Sequence, residues 1–249
     1  MSSLTTNETN KKGYTTIPIT TETLKIFLNL RKQSSSKNVA KKEFFDGPLV
    51  HAKEICIFKD EIMIVGQESC YEKFIETKNV PRITRMLSIG DYCNPLSVGV
   101  VLITSDNMIP FALRIGTHLN NLLFSFPAEG YLDPIKDLND KENRIISFTN
   151  AAQREIKEEL NIDAKDLISF EVGGIVFDSI EQPYITLFVN CRLTSSEVKA
   201  LFEKSDKNEF KEIGFIENTK ETLEKFLEEH QVTPHNLGKM ELYRNYKGW

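Results

Sequence analysis

FTNAAQREIKEELNI, residues 148–162, is the most informative stretch of this sequence. Successive residues of an α-helix turn by about 100°, so residues three and four positions apart share a face. On such a helix Glu155, Glu158 and Glu159 point the same way, and small and apolar residues occupy the opposite face. The stretch therefore predicts a helix with one acidic face and one face that packs on a sheet.

The acidic face predicts a metal site. Like charges four residues apart destabilise a helix by roughly 0.2–0.5 kcal/mol a pair. A divalent cation removes this conflict, because Mg²⁺ and Mn²⁺ prefer hard oxygen ligands and Mg²⁺ bridges carboxylates to substrate phosphates. We therefore expect Mg²⁺ (or Mn²⁺) as cofactor, with Glu155, Glu158 and Glu159 as ligands and Arg154 reaching Glu158 or another carboxylate. A solvated, charge-rich helix is the alternative interpretation.

The same residues resemble the second half of the Nudix box, the sequence signature of the Nudix hydrolases. That half is Arg-Glu-aliphatic-any-Glu-Glu-any-Gly-aliphatic. Residues 154–162, REIKEELNI, match it except that Asn161 stands at the glycine position. Asparagine is the next choice after glycine at a left-handed helix end. The resemblance implies that the three glutamates and Arg154 are catalytic residues.

The first half of the signature, a glycine followed after five residues by a glutamate, is not matched in place. Gly130 in FPAEGYLDP is the natural counterpart of its glycine, with an enlarged loop before the helix. The resemblance then implies that the Ala128 carbonyl binds metal and that Glu129 and Gly130 contact substrate. The accessory glutamate is missing or replaced, and Glu129, Asp133 and Asp137 are the alternatives.

The resemblance covers about residues 95–217 and implies a fold class. VGVVLITSDNMIPFALRI resembles the family's opening strands, and Arg114 takes the place of a basic substrate-binding residue. The fold expected is α+β, with a mixed β-sheet sandwiched between helices. We expect 1–15 to be a mobile tail, 16–94 to be an N-terminal extension packing on the core or on a second subunit, and 95–249 to be the Nudix hydrolase domain with its C-terminal helices.

Hydrophobic periodicity predicts further elements. TETLKIFLNLRKQ (21–33) has near-helical apolar spacing after a threonine and predicts a helix. EICIFKDEIMIV (54–65) predicts a hairpin, and a short helix should end before Pro81. Thr149 or Asn150 is the expected cap of the acidic helix. Two later helices are predicted over SSEVKALFEKS and NTKETLEKFLEEHQ.

Composition restricts the class of protein. Apolar residues make up 40% of the 249, and the net charge of −5 argues against a general nucleic-acid binder, which carries a basic face. The four cysteines form no CxxC pair and fit no zinc spacing. The polar N-terminus has no signal-peptide pattern, and no stretch approaches the length of a membrane span. These features predict a cytoplasmic protein with no long nucleic acid and no membrane as partner. The small phosphorylated substrate, a nucleotide, is what the resemblance implies.

The leading functional hypothesis is a Nudix-type pyrophosphohydrolase. Its reaction would be metal-dependent hydrolysis of a phosphoanhydride bond in a nucleoside diphosphate linked to another moiety. One alternative is a catalytically weak or inactive Nudix-fold nucleotide-binding module. Another is an isoprenoid-diphosphate isomerase, for which Cys93 is the nearest cysteine but has no histidine beside it in the sequence. A homodimer through the extension is compatible with each hypothesis.

Overall fold

The computed structural model describes residues 13–19, 24–29, 47–57, 62–79, 92–115, 122–140, 145–205 and 209–249. Within these ranges the strands are β1 (Tyr14–Pro18), β2 (Leu24–Asn29), β3 (Pro48–Ile57), β4 (Ile62–Cys70), β5 (Ser97–Ile103), β6 (Met108–Arg114), β7 (Phe124–Ser125), β8 (Glu129–Tyr131), β9 (Leu138–Asp140), β10 (Ile145–Ile146), β11 (Leu167–Asp178), β12 (Pro183–Cys191) and β13 (Phe210–Glu217). The helices are α1 (Tyr71–Thr77), α2 (Phe148–Leu160), α3 (Ser195–Phe202), α4 (Lys220–Glu229) and α5 (Pro234–Lys247).

The central sheet has the order β1-β11-β12-β5-β8 and is mixed, because β5 and β12 are parallel and the other neighbours are antiparallel. Successive side chains of a strand point to opposite faces. On β5, Val98, Val100 and Leu102 share one apolar cluster with the buried face of α2. Val101 and Ile103 share the other cluster with α5. A mixed sheet therefore lies between two helices, and the predicted α+β class is confirmed.

Helix α2 forms where the sequence predicts it. Ser147 caps its N-terminus, accepting the Asn150 N–H at 3.1 Å, so the prediction of Thr149 or Asn150 as the cap is wrong by two or three residues. Asn161 ends the helix at φ 57°, and its N–H bonds back to the Lys157 carbonyl. The left-handed end inferred for Asn161 is thus confirmed. The buried residues of α2 are Ala151, Ala152, Glu155, Ile156 and Leu160.

The N-terminal part forms a second sheet of order β3-β4-β2-β10-β9. The predicted hairpin over 54–65 is confirmed, since β3 and β4 pair antiparallel. The helix predicted over 21–33 is wrong where the structure describes it, because 24–29 is strand β2, which runs parallel to β4. Pairing with a strand far along the chain overrides the local helical spacing of the apolar residues.

This second sheet and the central sheet share one core. Val50, Ala52 and Ile64 lie in the same apolar cluster as Ile156 of α2. Strand β1 pairs along β11 and forms one edge of the central sheet. Residues before position 95 therefore supply both a packed hairpin and an edge strand.

The C-terminal part completes the fold. A three-stranded sheet of order β13-β6-β7 packs with α4, and the predictions of α3 and α4 are confirmed. Helix α5 was not predicted, and it covers the face of the central sheet opposite α2. Its sequence, PHNLGKMELYRNYK, buries polar residues as well as apolar ones, which obscures the usual amphipathic pattern. Among the described residues, no helix is long and apolar enough to cross a membrane.

Candidate active site

The acidic face of α2 forms one wall of a cavity of about 520 Å³. Glu155 is buried at 6% exposure, whereas the Glu158 side chain is 53% exposed. The opposite wall comes from the end of α3 and the start of β13. The residues of that wall are Phe202, Lys204, Ser205, Glu209 and Phe210. The structure thus brings the three predicted glutamates to the same cavity.

Gly130 makes room for the carboxylate of Glu155. A Cβ built on Gly130 would collide with that carboxylate, so only glycine allows β8 to approach α2 this closely. Burial and the nearby Glu158 raise the Glu155 pKa to about 7, although the Arg154 guanidinium acts in the opposite direction. Gly130 therefore lies at the site, in contact with a predicted catalytic residue.

Glu159 is held by the backbone of the turn before β8. The Ala128 N–H donates to Glu159 Oε2 at 2.6 Å, and the Glu129 N–H lies 3.4 Å from Oε1. Burial, followed by repulsion from Glu155, raises the Glu159 pKa well above its usual value. The Ala128 carbonyl, which was expected to bind metal, accepts the Val100 N–H at 3.0 Å. It is the amide of Ala128 that contacts a predicted metal ligand here.

Arg154 is fixed by Asp137. Its Nε and Nη2 donate to the two oxygens of the buried Asp137 carboxylate, at 3.1 and 2.9 Å. Nη2 also donates to the Tyr131 carbonyl, and Nη1 lies 2.5 Å from Glu155 and 3.4 Å from Glu158. Of the three alternatives for the accessory glutamate, Asp137 is the one that contacts the arginine of the acidic helix.

Two predicted substrate-binding side chains have other partners. Arg114 donates to Glu209 at 2.9 Å and lies over the Phe210 ring, so it is one residue removed from the cavity. Glu129 points to the sheet face away from α2, where both its carboxylate oxygens are engaged by His235 and Lys239. The structure therefore does not bring the Glu129 carboxylate together with those of the three glutamates, and only the backbone N–H of Glu129 lies near Glu159.

That opposite face holds a buried polar cluster, which we call the clamp: Glu129, His235, Asn236 and Lys239. Lys239 is fully buried, and its Nζ lies 2.9 Å from Glu129 Oε2. Although burial raises the Glu129 pKa, the charges of His235 and Lys239 outweigh it and hold that pKa well below its usual range. The sequence analysis missed this cluster; its only local signal is His235 and Lys239 four residues apart.

The donor set fits a divalent cation in its chemistry. Three carboxylates border one cavity, and desolvation raises the pKa values of two of them, buried Glu155 and partly buried Glu159. Hard oxygen ligands of this kind suit Mg²⁺ and Mn²⁺. Among the residues that the structure describes, no three His, Cys, Asp or Glu side chains are gathered around one metal position.

The chain is similar to several solved structures. No protein-family model and no curated protein sequence matches the chain. Several solved structures that resemble it are Nudix hydrolases. A Nudix hydrolase from Nitrosomonas europaea has a TM-score of 0.42 and 16% identity over 61% of this chain and 90% of its own. The MutT protein from Methanosarcina mazei has a TM-score of 0.41 and 17% identity over 61% and 95%. A protein from Deinococcus radiodurans has a TM-score of 0.49 and 16% identity over 80% and 99%.

Proposed function

We propose that this chain is a Nudix-type pyrophosphohydrolase. It would hydrolyse a phosphoanhydride bond in a nucleoside diphosphate linked to another moiety, with Mg²⁺ or Mn²⁺ bound by Glu155, Glu158 and Glu159. The observation that carries the proposal is the pair of carboxylates on the wall of an open cavity, buried Glu155 and partly buried Glu159, whose pKa values are both raised. The cellular location proposed is the cytoplasm, and a homodimer stays a prediction.

A structural role explains these two carboxylates poorly. Burying a carboxylate is unfavourable unless a cation or hydrogen bonds compensate its charge. Glu155 has Arg154 beside it, but Arg154 is already shared with Asp137 and Glu158. Glu159 accepts backbone amide hydrogen bonds, and its pKa is still raised. A metal ion at the cavity wall would supply the missing positive charge and would keep both groups ionised.

The chain's own residues prepare the site in three ways. Asp137 holds the Arg154 guanidinium, which in turn fixes the carboxylates of Glu155 and Glu158. The turn at Ala128 orients Glu159, and the cavity lies beside these groups. A divalent metal, when bound, neutralises phosphate charge and activates or orients the attacking water. The Glu158 side chain lines the cavity and is 53% exposed, so this part of the site is accessible from solvent.

A nucleotide-binding module without turnover is the second candidate. The specific observation in its favour is the Ala128 carbonyl, which is engaged with the Val100 N–H. The resemblance to the Nudix box had implied that this carbonyl binds metal. Such a module would bind the same nucleotides in the same cavity, but it would release no product.

A substrate panel distinguishes the two. Nucleotide sugars, ADP-ribose, dinucleoside polyphosphates and damaged nucleotides are incubated with the full chain and Mg²⁺ or Mn²⁺, and released phosphate, pyrophosphate and nucleoside monophosphate are measured. Metal-dependent release of a nucleoside monophosphate or pyrophosphate from one of them supports the hydrolase. Binding of a nucleotide with no product at any metal concentration supports the binding module and overturns the hydrolase.

A further inference from the structure

We propose that the clamp of Glu129, His235, Asn236 and Lys239 positions the turn over residues 126–130 so that its amides hold Glu159. The clamp residues would be positioning residues, since they lie on the sheet face opposite the three glutamates. This inference rests on the proposed function, because Glu159 is one of the groups expected to bind metal.

The clamp contacts the turn on both sides of its central residues, 127 and 128. Before them, the Phe126 N–H donates to Asn236 Oδ1 at 3.1 Å, and the Phe126 carbonyl accepts from Lys239 Nζ at 3.2 Å. After them, the Glu129 carboxylate meets Lys239 at 2.9 Å and His235 Nε2 at 2.6 Å. One stretch of α5, residues 235–239, therefore fixes both ends of the turn.

The turn between these two points has a backbone conformation that needs such support. Ala128 has φ 71°, in the left-handed region that residues other than glycine seldom adopt. Such a conformation persists when the surrounding structure imposes it. In this conformation the Ala128 N–H points at Glu159 Oε2, at 2.6 Å. The clamp and the Glu159 carboxylate thus act on the same few residues from opposite faces of the sheet.

Stability alone does not account for the clamp. Lys239 is 0% exposed and His235 is 5% exposed, so charged and polar groups occupy space that apolar side chains would fill. Replacing a buried ion pair by well-packed apolar residues is often neutral or stabilising. Directed hydrogen bonds, in contrast, fix a backbone in one geometry, which apolar packing does less well. Positioning the turn is what this geometry offers.

The test uses Lys239→Met in the full chain, because methionine keeps the length of the side chain and removes its charge. Lys225→Met on α4 is the matched control, since Lys225 is 73% exposed. Hydrogen exchange of the Ala128 and Glu129 amides is followed by NMR without metal, and kcat and KM are measured on the best substrate with Mg²⁺. We expect both amides to exchange at least about tenfold faster and kcat to fall about tenfold or more, with KM little changed. The control should match the wild type in every measurement.

A second variant keeps the test decisive if Lys239→Met does not fold. Glu129→Gln combined with Lys239→Met removes both partners of the Glu129–Lys239 ion pair, so neither is left without the other. This variant should fold, yet it should show the same fast exchange and low kcat. Wild-type exchange at both amides in a folded variant overturns the proposal, and so does fast exchange with unchanged kcat. If the wild type hydrolyses no substrate, the proposed function fails. The exchange measurement then decides separately whether the clamp holds the turn.

Discussion

Arg154 and Asp137 form a two-point ion pair, with hydrogen bonds of 3.1 and 2.9 Å, in which the Asp137 side chain is only 1% exposed. The pair ties α2 to the loop that follows β8. Because Arg154 also contacts Glu155 and Glu158, Asp137 sets the orientation of two predicted metal ligands through one guanidinium.

Asp137→Asn should therefore lower both stability and activity. The asparagine keeps the shape but weakens a buried, charge-assisted contact, and removing one partner of a buried pair costs about 3–5 kcal/mol. The free energy of unfolding, from urea denaturation, checks the first effect. Asp163→Asn, in an exposed pair with Lys157, is the control and should leave unfolding unchanged. A loss in Asp137→Asn no larger than in the control would show that the pair does not hold the loop.

The acidic face was predictable because helical periodicity and end capping are local properties of sequence. Spacing alone placed three glutamates on one face, and Asn161 ended the helix as inferred. The sequence left Asp137 as one of three alternatives for the accessory glutamate, because it does not show how the loop before the helix folds back onto Arg154. Strand β2 was mistaken for a helix because its pairing with β4 is non-local.

The clamp could not be predicted either, because its contacts join residues that lie far apart in the sequence. Glu129 and Lys239 meet only because β8 and α5 pack against β5 in the folded chain. The resemblance to the Nudix box predicts substrate contacts for both Glu129 and its neighbour Gly130. Adjacent strand residues point to opposite faces, and this alternation separates Glu129 from the glutamates of α2. The strand register needed to apply that rule came from the structure.

The stability of the metal-free protein should fall as pH rises through neutrality. The folded-state pKa of Glu155 is raised from 4.5 to about 7, so the folded protein binds this proton more tightly than the unfolded chain does. The stabilisation that protonated Glu155 adds to the free energy of unfolding is fully present below about pH 4.5 and is lost as pH rises to about 7. The pKa shift corresponds to roughly 3 kcal/mol at most. Glu159 acts in the same direction. Urea denaturation between pH 5 and pH 8 measures the slope.

Glu155→Gln is the control for that slope, because glutamine does not titrate. In this variant the free energy of unfolding should decrease less between pH 5 and pH 8 than it does in the wild type. Saturating Mg²⁺ should also flatten the wild-type curve, since bound metal favours the ionised carboxylates. An equal slope in wild type and variant without metal would mean that Glu155 ionises normally.

Gly130→Ala should disturb the site through Glu155. The added Cβ would collide with the Glu155 carboxylate, and overpacking of this kind costs about 1–3 kcal/mol. We expect a lower melting temperature and weaker Mn²⁺ binding, measured by calorimetry. In a Glu155→Ala background the same substitution should cost much less stability, because the colliding group is absent. If the cost is equal in both backgrounds, the collision is not its cause.

Glu158→Gln with Glu159→Gln should abolish turnover and leave the fold intact. Glutamine keeps the shape and helix propensity of glutamate but loses the charge that binds metal. A loss of at least about a thousandfold is expected, because metal stabilises transition-state charge by several kcal/mol and each 1.4 kcal/mol is a factor of ten in rate. The free energy of unfolding without metal should stay the same or increase, since repulsion from Glu155 is relieved.

Glu228→Gln with Glu229→Gln on α4 is the control for this double variant, because it replaces the same dipeptide at an exposed place and should leave the rate unchanged. Wild-type turnover in the first double variant would place the chemistry elsewhere, and its unfolding would show that the acidic helix is structural.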